Sequence, residues 1–482
     1  IRIMSSTKPS QIIIVGAGIF GLSTAIHLAR RGYTSITVFD KQPYEETLYS
    51  YLNGCDAASA DINKIIRSAY GAQTIYQDLT SDALRSWHEW NQDIARGADL
   101  PPGFSSSDRV FVNCGNLSCG DYSSLPTFER DTVECMEAVG LKGTQLITNE
   151  PADLDAAKEK GFLTAMNPFS KATLGVLDTT GGIAVADKAC LYALHKAKSL
   201  GVRFILDPLN GAFASFIYDA DSQVIGIRTA DDKKHFADMT IMACGGWTPS
   251  LLPELDGLCE ATAGSVVLLK IPESSHLRQR FNPSRFPSYT FKVRDGAEGG
   301  LYGFPVDDQG LLKIGYRGTK YTNPKVQKDG KERSVPVTRW TSGKEGTLTQ
   351  IPQQAHRVIR KFLDEYLPEL GQEGIDIWKS RVCWYTDSFD NHFVIDRVPG
   401  QKGLMCATGG SGHAFKFLPN IGKWVVDVME GNKIDNPVIQ AWRWRKPRSG
   451  EKPTNILMEG SEGARSLGKV CLVTAEAAGP KL

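Results

Sequence analysis

The sequence predicts an α/β fold in which a first domain is built on a parallel sheet and a second domain of the α+β class is built on a mixed sheet. The prediction rests first on a complete β-α-β unit at residues 11–40. A helix followed by a strand returns at 187–205, and a buried strand followed by a glycine turn returns at 237–252. The first sheet is therefore expected to be assembled from distant parts of the chain.

The β-α-β unit can be justified element by element. Residues 11–15, QIIIV, form a short continuous apolar run, which is typical of a parallel strand covered on both faces. Residues 22–32, LSTAIHLARRG, place apolar side chains at helical spacing and end on Gly32, which stops the helix. Residues 35–40, SITVFD, supply a second strand that ends at Asp40.

The later segments predict a discontinuous first domain. We expect this domain to comprise 10–92, 151–255 and 376–440, and the second domain to comprise 93–150 and 256–375. Residues 319–345 are polar and lack periodicity, so they are expected to form a mobile excursion. Residues 441–482 are charged and glycine-rich, which indicates a tail rather than part of a core.

Composition and charge argue against several kinds of partner. The 482 residues carry 55 Lys and Arg against 54 Asp and Glu, with no long basic run, so nucleic acid is not expected. The sequence contains no run of about 18 apolar residues, so a membrane span is not expected. The polar start of the chain does not resemble a signal peptide. The ten cysteines include no C-x-x-C pair, so we expect reduced thiols and no metal site.

The last three residues suggest a location. Pro480, Lys481 and Leu482 resemble the S-K-L type of peroxisomal address, with proline in place of the usual small residue. We therefore expect a peroxisomal or a cytoplasmic protein.

The glycine turn between the first strand and helix carries the strongest motif. Gly16, Gly18 and Gly21 follow the pattern G-x-G-x-x-G, and the intervening positions are Ala17, Ile19 and Phe20. Glycine permits a tight turn and the close approach of a pyrophosphate to the helix N-terminus, where unpaired N–H groups favour anionic oxygen. The motif, in its full β-α-β context, predicts a bound dinucleotide.

The end of the second strand extends this predicted site. Asp40 can accept hydrogen bonds from an adenosine ribose, and Lys41 beside it is assigned to the same site. The motif alone does not separate FAD from NAD. The late return of nucleotide-domain segments, with a strand that ends in Cys244-Gly245-Gly246-Trp247, favours FAD, and we include Trp247 among the cofactor-binding residues.

Two stretches place pairs of cations on one face. Residues 61–71, DINKIIRSAYG, predict a helix whose apolar stripe leaves Lys64 and Arg67 together on the opposite face. Such a pair is also common on a solvated surface. Residues 310–318, GLLKIGYRG, predict a strand that turns Lys313 and Arg317 to one face. That face fits a polar pocket and an exposed sheet equally well.

A second glycine-rich turn precedes the last helix of the first domain. Gly410 and Gly412 make a flexible approach to His413 and Lys416, and the helix is expected to begin after Asn420. Such a turn can approach a cofactor ring closely, although a single histidine is more often structural than catalytic.

Four separated motifs occur in one order: GAGIFG, NKIIRSAYG, CWYTDSFDNHFVID and GGSGHAFKF. In this order they resemble the flavin-dependent amine oxidases that include monomeric sarcosine oxidase, L-pipecolate oxidase, fungal L-saccharopine oxidase and fructosyl amino acid oxidase. The resemblance covers nearly all of residues 10–432. The phrases YTD and TGGSGH, and a WRW near the end, are most similar to the fungal saccharopine and pipecolate oxidases.

The resemblance implies a Rossmann-like FAD-binding domain of the glutathione-reductase or D-amino-acid-oxidase type, with a mixed-sheet substrate domain. It also implies a monomer that oxidises N-substituted amino acids, which are secondary amines, and uses molecular oxygen to give an imine and hydrogen peroxide.

The same resemblance implies roles for individual residues. Cys383 matches the cysteine that forms a thioether to the 8α-methyl carbon of FAD. Lys313 matches the lysine beside the flavin that assists oxygen. Arg67 and Lys416 match the pair that holds the substrate carboxylate, and Tyr385 matches a tyrosine that lines the same pocket.

Other positions leave the substrate open. Lys64 occupies a position that is arginine in sarcosine oxidases and lysine in fructosyl amino acid oxidases. Arg317 stands where sarcosine oxidase has a histidine near the substrate, and Ala414 replaces a glycine. The alternatives are a biosynthetic N-methyl amino acid oxidase whose iminium is trapped by ring closure in fungal alkaloid metabolism, an FAD-dependent dehydrogenase with another acceptor, and a non-catalytic flavoprotein.

Overall fold

A computed structural model describes residues 9–339, 349–448 and 450–475. The helices are α1 (Ile19–Arg30), α2 (Tyr44–Thr47), α3 (Thr74–Arg96), α4 (Thr127–Ala138), α5 (Pro151–Glu159), α6 (Leu163–Met166), α7 (Ala186–Ser199), α8 (Thr248–Leu251), α9 (Leu277–Arg280), α10 (Gln353–Tyr366), α11 (Pro368–Gln372), α12 (Ile421–Glu430) and α13 (Pro437–Trp442).

The strands are β1 (Ile12–Val15), β2 (Ile36–Asp40), β3 (Asn63–Ile66), β4 (Phe111–Val112), β5 (Asn116–Gly120), β6 (Gln145–Ile147), β7 (Leu174–Asp178), β8 (Gly182–Val185), β9 (Arg203–Leu206), β10 (Phe213–Tyr218), β11 (Val224–Thr229), β12 (Lys234–Phe236), β13 (Met239–Met242), β14 (Cys259–Lys270), β15 (Ser288–Phe291), β16 (Leu301–Gly303), β17 (Leu311–Tyr321), β18 (Pro324–Val326), β19 (Glu332–Ser334), β20 (Gln350–Pro352), β21 (Ile377–Ser388), β22 (Val394–Arg397), β23 (Leu404–Thr408) and β24 (Leu472–Thr474).

A six-stranded sheet in the order β22-β23-β13-β1-β2-β9 forms the cofactor half of the fold. Its pairings are parallel except for the edge pair β22–β23. Helices α1, α7 and α12 cover one face, and an apolar cluster with β10 and β11 covers the other. Because both faces are buried, the strands are apolar runs, and the strands predicted at 11–15, 35–40 and 237–252 are confirmed.

An eight-stranded sheet in the order β21-β14-β17-β16-β15-β5-β7-β6 forms the second half. Only the pair β15–β5 is parallel, so the mixed second sheet and the α/β fold class are confirmed. One face packs on α10 through an apolar cluster that contains Leu312, Ile314 and Tyr316 of β17. Side chains alternate along a strand, so Lys313 and Arg317 lie on the other face, as the sequence predicted.

The two sheets exchange segments of chain. Strands β7 and β21 fall within the later segments assigned to the first domain, yet both pair in the eight-stranded sheet. The exact domain boundaries given above therefore stay a prediction.

The helix predicted at residues 61–71 is wrong. Asn63–Ile66 is strand β3, which pairs antiparallel with β8. The run of β-branched side chains, Ile62, Ile65 and Ile66, favours an extended backbone. Lys64 and Arg67 therefore do not share a helical face.

Two stretches that were expected to be irregular are ordered where they are described. Within 319–345, β18 and β19 form a hairpin, and Arg333 is bonded to Asp256 and Asp329. The predicted tail also packs: Trp442 is fully buried and donates to Tyr76 Oη at 3.1 Å. A cluster of buried partners overrides composition in both cases, which composition alone could not reveal.

The end of the chain is tied to the core by further contacts. Strand β24 pairs with β20. Residues 340–348 and 476–482, the latter with the predicted address Pro480-Lys481-Leu482, lie outside the described residues. Among the helices that are described, none is both long enough and apolar enough to cross a membrane.

Candidate active site

The glycine turn between β1 and α1 is too closely packed for side chains. Gly16 has a φ of +108°, and a Cβ atom there would lie 2.3 Å from the carbonyl oxygen of Ala243. A Cβ atom at Gly21 would lie 1.8 Å from the carbonyl oxygen of Gly16. Helix α1 follows with Gly18 as its N-cap and without a capping side chain. Ile19 N donates to Ser59 Oγ at 3.3 Å, and the rest of the first turn has no side-chain partner among the described residues, so it can receive an anionic group.

Asp40 ends β2 beside this turn. Its carboxylate accepts hydrogen bonds from Ala17 N and Gln42 N, both at 2.8 Å. The side-chain oxygen of Gln42 is buried and has no hydrogen-bond partner among the described residues, so it is available to a donor on a ligand. The turn, the carboxylate and this acceptor fit the adenosine and pyrophosphate portions of FAD.

Lys41 and Trp247 meet at the same edge of the sheet. The ammonium of Lys41 lies 3.5 Å from the centre of the Trp247 ring. Burial lowers the pKa of Lys41 to about 8, although the negative charge of Asp40 raises it. The two residues predicted from separate parts of the chain are therefore neighbours.

Strands β21, β14 and β17 bring Cys383 and Arg317 together. Cys383 is opposite Gly264 in the register of β21 and β14, so both point to one face. A Cβ atom at Gly264 would lie 3.0 Å from Cγ of Arg317, which shows that the arginine crosses the same glycine. Cys383 is 8% exposed and is a free thiol.

Lys313 lies on the same face in a buried ionic cluster. Its Nζ donates to Asp61 Oδ2 at 2.7 Å and to the carbonyl oxygen of Asn63 at 2.5 Å. Asp61 Oδ2 also accepts from Lys64 Nζ at 2.8 Å, and the Arg381 guanidinium lies 3.5 Å from Asp61 Oδ1. One carboxylate therefore faces three cations.

Burial and charge act in opposite directions in this cluster. Burial lowers the pKa of Lys313 to about 7, although the charge of Asp61 raises it. Burial alone would raise the pKa of Asp61, but the charges of Lys313, Lys64 and Arg381 outweigh it and hold that pKa well below its usual value. Asp61 is consequently anionic, and Lys313 can lose or keep its proton near neutral pH.

The sequence analysis did not identify Asp61 or Asn63 as site residues. Both amide atoms of the Asn63 side chain are buried without a hydrogen-bond partner among the described residues, which leaves them for a ligand. The available signals were that Asn63 is the first residue of the motif NKIIRSAYG and that Asp61 lies two residues before it.

Arg67 and Lys416 form a second cationic group. Lys416 Nζ donates to the carbonyl oxygen of Arg67 at 3.0 Å and lies 4.5 Å from the centre of the Tyr70 ring. The Arg67 guanidinium lies 5.1 Å from the same ring centre and donates to the carbonyl oxygen of Ala69. The sequence predicted this pair, and the structure brings it together, whereas Lys64 belongs to the Asp61 cluster.

Neither cation has an acidic partner at ion-pair distance among the described residues, although the charge of Asp178 acts on both from farther away. Arg67 and Lys416 form no ion pair within the part of the chain that the structure describes. Lys416 is 2% exposed, and burial followed by the charge of Arg67 lowers its pKa well below the usual range. Buried charges without a counter-ion are costly, so the pair is suited to receive an anion.

His413 orders the other side of this group. Its Nε2 lies 3.0 Å from the carbonyl oxygen of Asn391 and must carry the proton, so Nδ1 accepts from Tyr70 Oη at 3.2 Å. Burial lowers the pKa of His413 well below its usual value. The imidazole is therefore neutral, and it positions Tyr70 rather than contributing charge.

Arg317 links the strand face to the second glycine turn. Its Nε donates to Tyr385 Oη at 3.1 Å, and its terminal nitrogens donate to the carbonyl oxygens of Ser411 at 3.4 Å and Gly412 at 3.3 Å. Gly412 has a φ of +71°, and a Cβ atom there would lie 2.2 Å from the guanidinium. Glycine is thus required at 412.

The other positions of this turn are also close-packed. A Cβ atom at Gly410 would lie 3.0 Å from Cβ of Ala414.

A groove of about 900 Å³ beside α10, lined in part by Arg357 and Cys471, contains none of the predicted site residues. The chemistry is therefore expected between the two sheets.

Comparison with known proteins identifies the family of the chain. The chain matches the family described as FAD dependent oxidoreductase over residues 11–428. It is 28% identical to L-saccharopine oxidase of Schizosaccharomyces pombe, a match that covers 90% of this chain and 93% of that protein. It is 25% identical to monomeric sarcosine oxidase of Bacillus sp. (strain B-0618), over 89% of this chain and 94% of that protein.

A solved structure gives the same result for the fold. A modified fructosyl peptide oxidase from Aspergillus nidulans is 27% identical, has a TM-score of 0.75, and the match covers 96% of this chain and 98% of that chain. The likeness therefore extends over both sheets.

Proposed function

Since this chain belongs to the FAD dependent oxidoreductase family, we propose that it is an oxidase of N-substituted amino acids. In this reaction the C–H and N–H hydrogens of a secondary amine are removed to give an imine, and dioxygen is reduced to hydrogen peroxide. FAD, when bound, supplies the two-electron acceptor between them. The observation that carries the proposal is the cationic group of Arg67 and Lys416, which forms no ion pair with the described residues, together with a separate buried cation, Lys313.

The substrate class is supported by the names of the relatives. Saccharopine and sarcosine are N-substituted amino acids, and fructosyl peptides carry the sugar on an amine. All three share a carbon–nitrogen bond next to a carboxylate or its amide. Where the neighbouring group is a carboxylate, an anion-binding group beside FAD would select it.

Arg67 and Lys416 would hold the α-carboxylate of the substrate. Both contact the ring of Tyr70, which His413 fixes through a hydrogen bond. A bound carboxylate would raise the lowered pKa of Lys416 and so favour its ammonium form. Two charged donors on one carboxylate give strong and directional binding. The amine and its α-carbon are then held in one orientation, which lowers the entropic part of the barrier.

Lys313 would provide positive charge where dioxygen is reduced. Negative charge develops on oxygen in that step, and a fixed cation stabilises it without reorganisation. Asp61 keeps the ammonium in place at 2.7 Å, and complete burial excludes water. Lys313 would thus stabilise the reduction of dioxygen, while Arg67 would bind the substrate.

We also propose that Cys383 attaches FAD through a thioether between Sγ and the 8α-methyl carbon. The thiol is free, nearly buried, and faces Gly264, so no side chain on the neighbouring strand stands over it. Noncovalent FAD would require another role for a cysteine on this polar face.

Product analysis tests the proposed function. The holoenzyme should release one hydrogen peroxide for each secondary amine consumed when it is given N-methyl amino acids in air. The same amino acids without the N-methyl group are the control and should react much more slowly. Amine consumption without peroxide would instead favour a dehydrogenase that uses another acceptor.

A further inference from the structure

We propose that Arg317 forms a second anion subsite, and that the preferred substrate carries a second carboxylate besides its α-carboxylate. The inference rests on the proposed function, because it concerns the substrate of the same site. It assigns to Arg317 the choice between acidic and neutral substrates.

Three cationic side chains near His413 give this part of the site an excess of positive charge. Arg67, Lys416 and Arg317 all lie near His413, since the charges of all three oppose protonation of its imidazole. None of the three forms an ion pair with a carboxylate of the described residues. A single α-carboxylate would neutralise only part of this group.

Other arginines that are at least partly buried differ from Arg317 in their partners. Arg333 is 3% exposed and is bonded to Asp256 and Asp329. Arg445 makes two hydrogen bonds to Asp390, at 2.7 and 2.6 Å. The fold thus supplies carboxylates to arginines that serve structure, and Arg317 receives none.

The hydrogen bonds that Arg317 makes to the described residues use only part of its N–H donors. A guanidinium carries five N–H donors, and its three contacts go to a phenol oxygen and two carbonyl oxygens, all of them neutral. Asp387 is nearby, but its carboxylate accepts from Thr262 Oγ1 at 2.6 Å and Lys320 Nζ at 3.1 Å. The remaining donors of Arg317 have no partner among the described residues and can bind a ligand.

The position of Arg317 also suits an anion subsite. The side chain of Arg317 crosses Gly264, the residue opposite Cys383, and its guanidinium lies against Gly412. Glycine at both places removes the side chains that would cover the arginine. An acidic group held here would lie beside the proposed point of FAD attachment and next to the turn that carries His413 and Lys416.

Matched substrates test the subsite. N-methyl-L-aspartate, N-methyl-L-glutamate and N-methyl-L-2-aminoadipate differ in length, and each is compared with the amide of its side-chain carboxylate. We expect at least one acid to exceed its amide in kcat/KM by about ten- to hundredfold, the usual worth of a hydrogen bond to a charged group. In Arg317→Met and Arg317→Gln this ratio should fall to about one.

Two further variants separate charge from structure. Arg317→Lys keeps the charge but loses the planar fork, so it should retain only part of the ratio. Arg357→Gln removes one positive charge from the exposed side of α10, where Arg357 pairs with Glu298, and should keep the full ratio. Equal ratios in the wild type and in both Arg317→Met and Arg317→Gln would overturn the proposal, as would acid and amide reacting equally in every pair.

Binding of unreactive analogues distinguishes this proposal from the proposed function. In 2-(methylthio)pentanedioate and its 5-amide, sulfur replaces the amine nitrogen, and calorimetry on the holoenzyme gives both dissociation constants. A preference for the diacid that disappears in Arg317→Met supports the subsite even if no amine is oxidised, which would refute the oxidase alone. Rapid oxidation of N-methyl amino acids with no diacid preference in either assay would refute the subsite alone.

Discussion

Replacing Asp61 by asparagine removes the charge that keeps Lys313 protonated in a dry environment. Lys313 Nζ and Asp61 Oδ2 are 2.7 Å apart, and both side chains are buried. With about 3.5 Å between the centres of charge and an effective dielectric constant of about 20, the carboxylate contributes about 5 kcal/mol to the ammonium form. That energy corresponds to about 3.5 units of pKa.

The pKa of Lys313, held near 7 by burial in the wild type, should therefore fall far below 7 in Asp61→Asn. The amine would then be neutral throughout the working range of pH. If Lys313 supplies the positive charge for oxygen reduction, oxidation of the reduced enzyme by dioxygen should slow about a hundredfold. Reduction of the enzyme by substrate should slow much less.

Stopped-flow measurements of the two half-reactions between pH 6 and 9 provide the assay. In the wild type, reoxidation should be fastest below pH 7 and should decline as the pH rises through the pKa of Lys313. Asp61→Asn and Lys313→Met should both be slow and flat with pH. Asp82→Asn, which breaks the exposed ion pair with Arg85, is the control. Equal slowing of both half-reactions, or an unchanged pH profile in Asp61→Asn, would refute the reasoning.

Three other predictions address the cofactor, the substrate and the fold. Wild-type protein that is denatured and precipitated in acid should stay yellow, whereas Cys383→Ala should release its FAD into the supernatant; release from both would exclude the thioether. Arg67→Ala should raise KM and lower kcat/KM at least a hundredfold for N-methyl amino acids, since it removes a charged hydrogen bond to the carboxylate; wild-type kinetics would exclude the clamp. His27 donates from Nε2 to the carbonyl oxygen of Pro419, and burial lowers its pKa from 6.5 to about 4. Because the unfolded chain binds the proton first, stability should be lost as the pH falls from about 6.5 to about 4, by about 2 kcal/mol at pH 5. In His27→Gln this acid-induced loss, followed by thermal unfolding, should be smaller, and an identical loss would contradict the assignment.

Local sequence patterns predicted much of the fold. The glycine turn at Gly16, the apolar runs of β1 and β2, and the alternation around Lys313 each follow from a few adjacent residues, so the sequence alone predicted them. The error at 61–71 has the same origin. Three isoleucines within five residues fit a helical stripe as well as a short strand, and only pairing with β8 decides between them.

The candidate site depended more on distant contacts. Asp61 meets Lys313 from a position 252 residues away, and no local pattern connects an aspartate before β3 with a lysine in β17. The last segment was underestimated for the same reason. Asn455 donates to the carbonyl oxygen of Ser388 and accepts from Lys320, so the predicted tail supports the strand that carries Cys383.

Anaerobic mixing of the holoenzyme with secondary amino acids tests whether the chain is an oxidase of N-substituted amino acids. We expect that such an amino acid bleaches the flavin absorbance without oxygen, and that admission of oxygen restores the colour with one equivalent of hydrogen peroxide. A flavin that keeps its absorbance with sarcosine, pipecolate, saccharopine, fructosyl and N-methyl amino acids alike would contradict it.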